Sequence, residues 1–217
     1  MHILELDPIV MIKERVEDET RVHISLWKTC KMLEYVLEEK LEHVQEEYLY
    51  ANILILQFFT LEAFLNFLGE NLRPNIWKKE RDYFYRKSIC GKRGTLGKFW
   101  YLADELGCKE YFETGKGKKV YEFVEQDLKG IRDFFAHAKP EILHDERYRS
   151  PHKSPDFVEN FIDQNIDIKN VKKGFQYVEE LILKLHDKAN ELEKYDRHIK
   201  NPLTGPDRVL RGQTINE

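Results

Sequence analysis

Tyr48-Leu49-Tyr50-Ala51-Asn52-Ile53-Leu54-Ile55-Leu56-Gln57-Phe58-Phe59-Thr60-Leu61-Glu62-Ala63-Phe64-Leu65-Asn66-Phe67-Leu68-Gly69 is the stretch whose reading decides the fold. Its apolar residues leave almost no polar face. A helix that is apolar nearly all round is either central in a bundle or inside a membrane. The run is just long enough to span a bilayer. Asn52, Gln57, Glu62 and Asn66 interrupt it, however, and a carboxylate at Glu62, near the middle, is expensive in lipid. The expectation is a buried central helix, no membrane, and termination between Gly69 and Pro74.

Outward from this core, the flanking segments read as helices that cover it. Residues 11 to 46 lack Gly and Pro, and Leu26, Leu33, Leu37, Leu41 and Val44 recur at helical spacing. Their outer face is acidic, with Glu38, Glu39, Glu42, Glu46 and Glu47. Residues 96 to 106 and 120 to 138 read as further helices, the second ended by Pro140. Lys169 to Tyr195 carries a clean seam of Val171, Phe175, Val178, Ile182, Leu185, Ala189 and Leu192. Between them, Ile76 to Ile89 could be helical, and Cys90 to Gly97 reads as a glycine-rich loop without a Walker pattern. The expected fold class is all-α, a bundle of about five to seven helices. Residues 1 to 196 form the domain, and 197 to 217 a flexible C-terminal tail.

Composition narrows the function classes. Charged residues make up 34% of the 217, more than the usual share, as long amphipathic helices with solvated faces require. The net charge of −4 carries no global signature for nucleic acid or membrane. Cys30, Cys90 and Cys108 are odd in number, far apart and in no CxxC pair. They read as free thiols in a reducing compartment, so a cytoplasmic location is expected, with no metal and no cofactor. His144, Asp145 and His152 lack helical ligand spacing and read as surface residues.

One element carries chemistry: Arg132-Asp133-Phe134-Phe135-Ala136-His137, at the proline-stopped end of a helix. A helix C-terminus carries partial negative charge, which favours a protonated imidazole and tunes His137 within physiological pH. Arg132 offers planar, bidentate contact to phosphate. Together they supply a proton carrier and a phosphate clamp. Cleaving RNA without metal needs both, to take the 2′-hydroxyl proton and to balance charge on the phosphorane. The alternative is structural: Arg and His near a helix end also cap carbonyls and pair with carboxylates.

The segment from Asp127 to His137 resembles the Arg-x4-His motif helix of the HEPN (higher eukaryotes and prokaryotes nucleotide-binding) superfamily. Asp133 fits the polar residue that usually follows the Arg. Leu61 to Leu68 looks like the central apolar helix of bacterial members, with Glu62 as its embedded carboxylate, and Lys169 to Tyr195 like the helix after the motif. The resemblance covers most of residues 12 to 195. It implies a helical bundle that forms a homodimer, with two motifs facing across a composite cleft. It also implies a metal-independent endoribonuclease of the toxin–antitoxin or defence kind, with an antitoxin or other protein partner. Carried over, Arg132 binds the scissile phosphate, His137 is general base or acid, and Asp133 orients the site. Where one branch of the superfamily has a modifiable tyrosine two residues after the His, this chain has Lys139, so modification there is not expected.

Two further features bear on this. Glu62 is expected either to orient Arg132 or His137 across the bundle, or to serve as a cap, a salt bridge to another base or a partly exposed residue. Residues 71 to 100 hold nine basic residues against two acidic ones, with Trp77, Tyr83, Phe84, Tyr85, Phe99 and Trp100 interleaved. Lys78, Lys79, Arg81, Arg86, Lys87, Lys92 and Arg93, with Lys139, are the candidate RNA-binding residues, although most of these aromatics are expected to face the core. The reading from another class is a non-catalytic helical module that binds RNA, a nucleotide or a protein.

Overall fold

The structure, a computed structural model, describes residues 15–39, 46–136, 164–192, 195, 201–205 and 208–213. Among these residues the chain is all-α in character, with eight helices and one two-stranded ribbon. The helices are α1 (Val22–Glu38), α2 (Glu46–Leu72), α3 (Pro74–Trp77), α4 (Gly94–Glu105), α5 (Lys109–Glu113), α6 (Gly115–Phe123), α7 (Lys129–Ala136) and α8 (Ile168–Asn190). Two wide π-helical turns intervene, Arg81–Tyr85 after α3 and Val124–Leu128 between α6 and α7.

Helix α2 is the centre. It packs against α1, α4, α7 and α8, and buries Ile53, Leu54, Phe58, Leu61, Phe64, Leu65 and Leu68. Its length and hydropathy would suffice to cross a membrane, and 61% of its most apolar window is buried inside the protein. The polar residues that interrupt it are used. Gln57, fully buried, donates to the Val171 carbonyl on α8 at 3.1 Å. Asn66 accepts from Lys98 Nζ at 2.7 Å, and Glu62 accepts from Thr95 Oγ1 at 2.8 Å, both on α4. Lys98 is 1% exposed and also pairs with Glu80 at 2.8 Å. A lysine buried this deeply is tolerated because both partners are in place.

The seam expected on the last helix is real from Val171 to Ala189, whose apolar members are all buried, whereas Leu192 is 39% exposed. Helix α8 opens on Asp167, whose carboxylate caps the Asn170 N–H at 2.7 Å. Two expectations need correction. Residues 11 to 46 do not make one helix, because Arg15–Thr20 is a strand and α1 starts only at Val22. The partner of that strand is Arg208–Gln213, antiparallel, in a register that sets Glu17 opposite Arg211. The second correction concerns the region assigned to a flexible tail: part of it is engaged in that pair, and Leu203 is 2% exposed in the core. Local periodicity cannot report a pairing made across almost two hundred residues of chain.

At the start of α1 lies His23, 1% exposed, against Phe64 and Phe67 at ring-centroid distances of 5.6 and 4.9 Å. Neither ring nitrogen makes a hydrogen bond of ordinary geometry among the described residues. Burial lowers its pKa to about 4, with Arg21 and His186 acting in the same sense and the Pro202 backbone opposing. The folded state therefore holds His23 neutral where the unfolded chain, titrating near 6.5, binds a proton. The stability this contributes is whole above the unfolded value and is lost as the pH falls toward 4. Over that window the loss amounts to about 3 kcal/mol. Urea midpoints at about pH 7 and about pH 4.5 should fall further apart for the wild type than for His23→Leu, and parallel behaviour of the two proteins would sink the assignment.

Candidate functional site

Helix α7 carries Arg132 and Asp133 one full turn after the wide turn at Val124–Leu128. That turn is wound so that Val124, Leu128 and Ile131 all remain buried, at 1%, 0% and 0% exposure. Glu125 and Lys129 are then presented together on an outer face. π turns inside helices are frequent at functional sites, because they re-aim the residues that follow.

Arg132 is half-buried. Its guanidinium lies 5.7 Å from the centre of the Phe58 ring on α2, and its Nη1 donates to Asp133 at 2.8 Å. Its Nε is buried and has no acceptor among the described residues. A buried donor left without a partner costs free energy, and an arriving anion relieves that cost. Asp133 is also held by Lys129, one turn earlier. Burial works against the Asp133 carboxylate, but hydrogen bonds from Lys129 and Arg132 outweigh it and hold its pKa below the usual value. Asp133 is thus a fixed anion that orients two cations. His137 and Lys139 lie outside the described residues.

Glu62 does not meet Arg132. Its carboxylate is taken by Thr95, in the first turn of α4, so its described role is to seat the start of α4 against α2. What α4 then presents is the wall of an open cleft of about 550 Å³. On one side stand Ser88, Gly91, Lys92, Arg93 and Leu96, and on the other Glu125 and Lys129. The loop that forms the first wall is tightly turned. Ile89 and Lys92 exchange backbone hydrogen bonds at 2.8 and 2.9 Å, and the turn needs positive φ at Cys90, Gly91 and Gly94. Cys90, at φ 51°, adopts a conformation that ordinarily belongs to glycine.

The cleft contains three cations and one carboxylate. Lys92 pairs with Glu125, Lys129 pairs with Asp133, and Arg93 is exposed and in no ion pair among the described residues. Arg93 also immediately precedes α4, whose first-turn N–H groups have no helical acceptor. The sequence had marked Lys92 and Arg93. It gave no sign of Ser88, Glu125 or Lys129, because their approach depends on how the 88–93 loop lies along the wide turn.

The rest of the basic stretch divides. Lys78, Lys79 and Arg81 are exposed and in no ion pair among the described residues. Arg86 pairs with Asp82 at 2.8 Å, and Lys87 lies 5.1 Å from the Tyr83 ring. Trp77, Phe84, Phe99 and Trp100 are buried, as expected of most of the aromatics, but Tyr83 and Tyr85 are exposed at 37% and 47%. Tyr85 borders the loop of the cleft, since a Cβ placed on Gly94 would lie 3.5 Å from its ring. On another face, Asp127 stands with Lys119, Lys173 and Tyr177 around a smaller cleft of about 260 Å³, and burial raises its carboxyl pKa against the pull of Lys173.

No protein-family model, curated protein or solved structure matches the chain.

Proposed function

We propose that this chain is a metal-independent endoribonuclease of HEPN type, acting at a composite site made by two copies. The observation that carries the reading is Arg132, partly exposed on α7, with its buried Nε unpartnered among the described residues and Asp133 fixing its orientation. The all-helical order, with an apolar central helix before the motif helix and α8 after it, supports the same reading.

The chemistry follows from the two side chains. His137, neutral, takes the proton from a 2′-hydroxyl, and the 2′-oxygen forms a bond to the adjacent phosphorus. The P–O5′ bond breaks, and the leaving oxygen takes a proton from a second, protonated His137 in the other copy. Arg132 balances the charge that grows on the phosphoryl oxygens. One histidine per chain supplies one proton carrier, so acid and base together call for two chains.

The test is incubation of the purified protein with total RNA in the presence of a chelator. Wild type should give defined fragments, and His137→Ala should slow their appearance by at least about 10²-fold. Equal fragment patterns from the two proteins would remove the proposal and leave a helical module that binds without cutting.

A further inference from the structure

We infer that the cleft beside α7, together with Tyr85, is a docking subsite for one nucleotide unit of single-stranded RNA, adjacent to the phosphate that Arg132 holds. This inference rests on the proposed ribonuclease reading for its direction along the strand. It does not rest on cleavage for its existence.

Three observations meet there. The cleft is large enough for a phosphate with its sugar, at about 550 Å³, and carries Lys92, Arg93 and Lys129 against Glu125. Of these, Arg93 is exposed and spends its charge on no carboxylate among the described residues. Next to Arg93 stands the Tyr85 ring, 47% exposed, which Gly94 approaches and over which Lys98 Nζ lies at 5.8 Å from the centroid. A positive group for the backbone beside a partly exposed ring for a base is the pairing that recognises unpaired strands, since every base has a face to stack. A duplex would leave the ring nothing to stack on.

The spacing places this subsite on the path to the motif. Lys129 precedes Arg132 by three residues, about 4.5 Å of helical rise. Phosphates held at these two side chains therefore belong to neighbouring stretches of one strand. Asp133 bridges the two, since it binds both Lys129 and Arg132. The subsite is a positioning device: it sets which phosphate reaches Arg132.

The experiment uses a short single-stranded RNA oligonucleotide, fully 2′-O-methylated so that it cannot be cleaved, read by fluorescence anisotropy over a range of salt. Arg93→Gln should weaken binding about tenfold and reduce the salt slope by about 0.7, the share of one phosphate contact on a single strand. Tyr85→Ala should weaken binding between about fivefold and a hundredfold, with the salt slope unchanged. Arg93→Lys should recover most of the slope. In cleavage of unmodified RNA, Arg93→Gln should raise KM and leave kcat near wild type. Wild-type affinity in both Arg93→Gln and Tyr85→Ala would overturn the subsite while leaving the ribonuclease reading intact. No binding of the oligonucleotide by wild type would overturn it as well. Binding that depends on Arg93 and Tyr85 in a protein that cuts no RNA would uphold the subsite and end the ribonuclease reading alone.

Discussion

Arg132→Ala should lower the single-turnover rate of RNA cleavage by about 10²–10³-fold, the usual cost of removing one preorganised donor from a developing oxyanion. The protein should remain folded. The substitution removes the guanidinium from the Phe58 face, a contact of about 0.5–1 kcal/mol, and also removes the buried Nε that has no acceptor. These two effects oppose one another, so the urea midpoint should move little. Asp133 keeps Lys129 as its partner and is not left bare. Arg132→Lys separates charge from geometry. It retains the cation but loses the planar fork, and should recover only a small part of the rate. Asp133→Asn should cost less than either, since it frees the guanidinium without deleting it. Wild-type rates in Arg132→Ala would refute the proposed role. So would a rate loss that merely tracks a loss of fold.

Why Arg132 was visible in the sequence, and the cleft beside it was not, has a physical reason. A motif on one helix is written in consecutive residues, and its neighbours follow from the helical period. Phe58, Leu61 and Leu65 were legible as a buried face for the same reason, and so was the seam from Val171 to Ala189 on α8. The cleft is assembled from a loop at 88–93 and a wide turn at 124–128, which no periodicity connects. Glu62 shows the intermediate case. Its need for a partner could be read from an apolar helix with one carboxylate, but the partner could not, and it proved to be Thr95. The strand Arg15–Thr20 was illegible because its own acidic run favours no strand, and what holds it extended is Arg208–Gln213 at the other end of the chain.

Gly69 has a second role that the sequence did not show. With Pro74 it marked the end of the helix, and α2 does end between them, at Leu72. Its lack of a side chain serves a close approach. A Cβ there would lie 2.0 Å from two atoms of the Trp77 ring. That ring is 5% exposed and packed against Phe84 and Tyr101 at 4.8 and 5.9 Å, so it has nowhere to retreat. Gly69→Ala should therefore destabilise the fold. The gain in helix propensity, about 1 kcal/mol, is smaller than the repacking cost of moving a buried indole, which reaches about 3 kcal/mol or more. Gly130→Ala is the control of opposite sign. It too sits inside a helix, yet a Cβ there meets no described atom within 4 Å, so it should stabilise by up to about 1 kcal/mol. Replacing Trp77 by Leu in the Gly69→Ala background should make the glycine substitution far less costly than it is alone, a coupling expected of residues in contact. Urea denaturation followed by far-ultraviolet circular dichroism reads all five proteins, wild type and Trp77→Leu alone included, on one scale. If Gly69→Ala and Gly130→Ala shift the midpoint in the same direction, the close approach of α2 to Trp77 is not what that glycine is for.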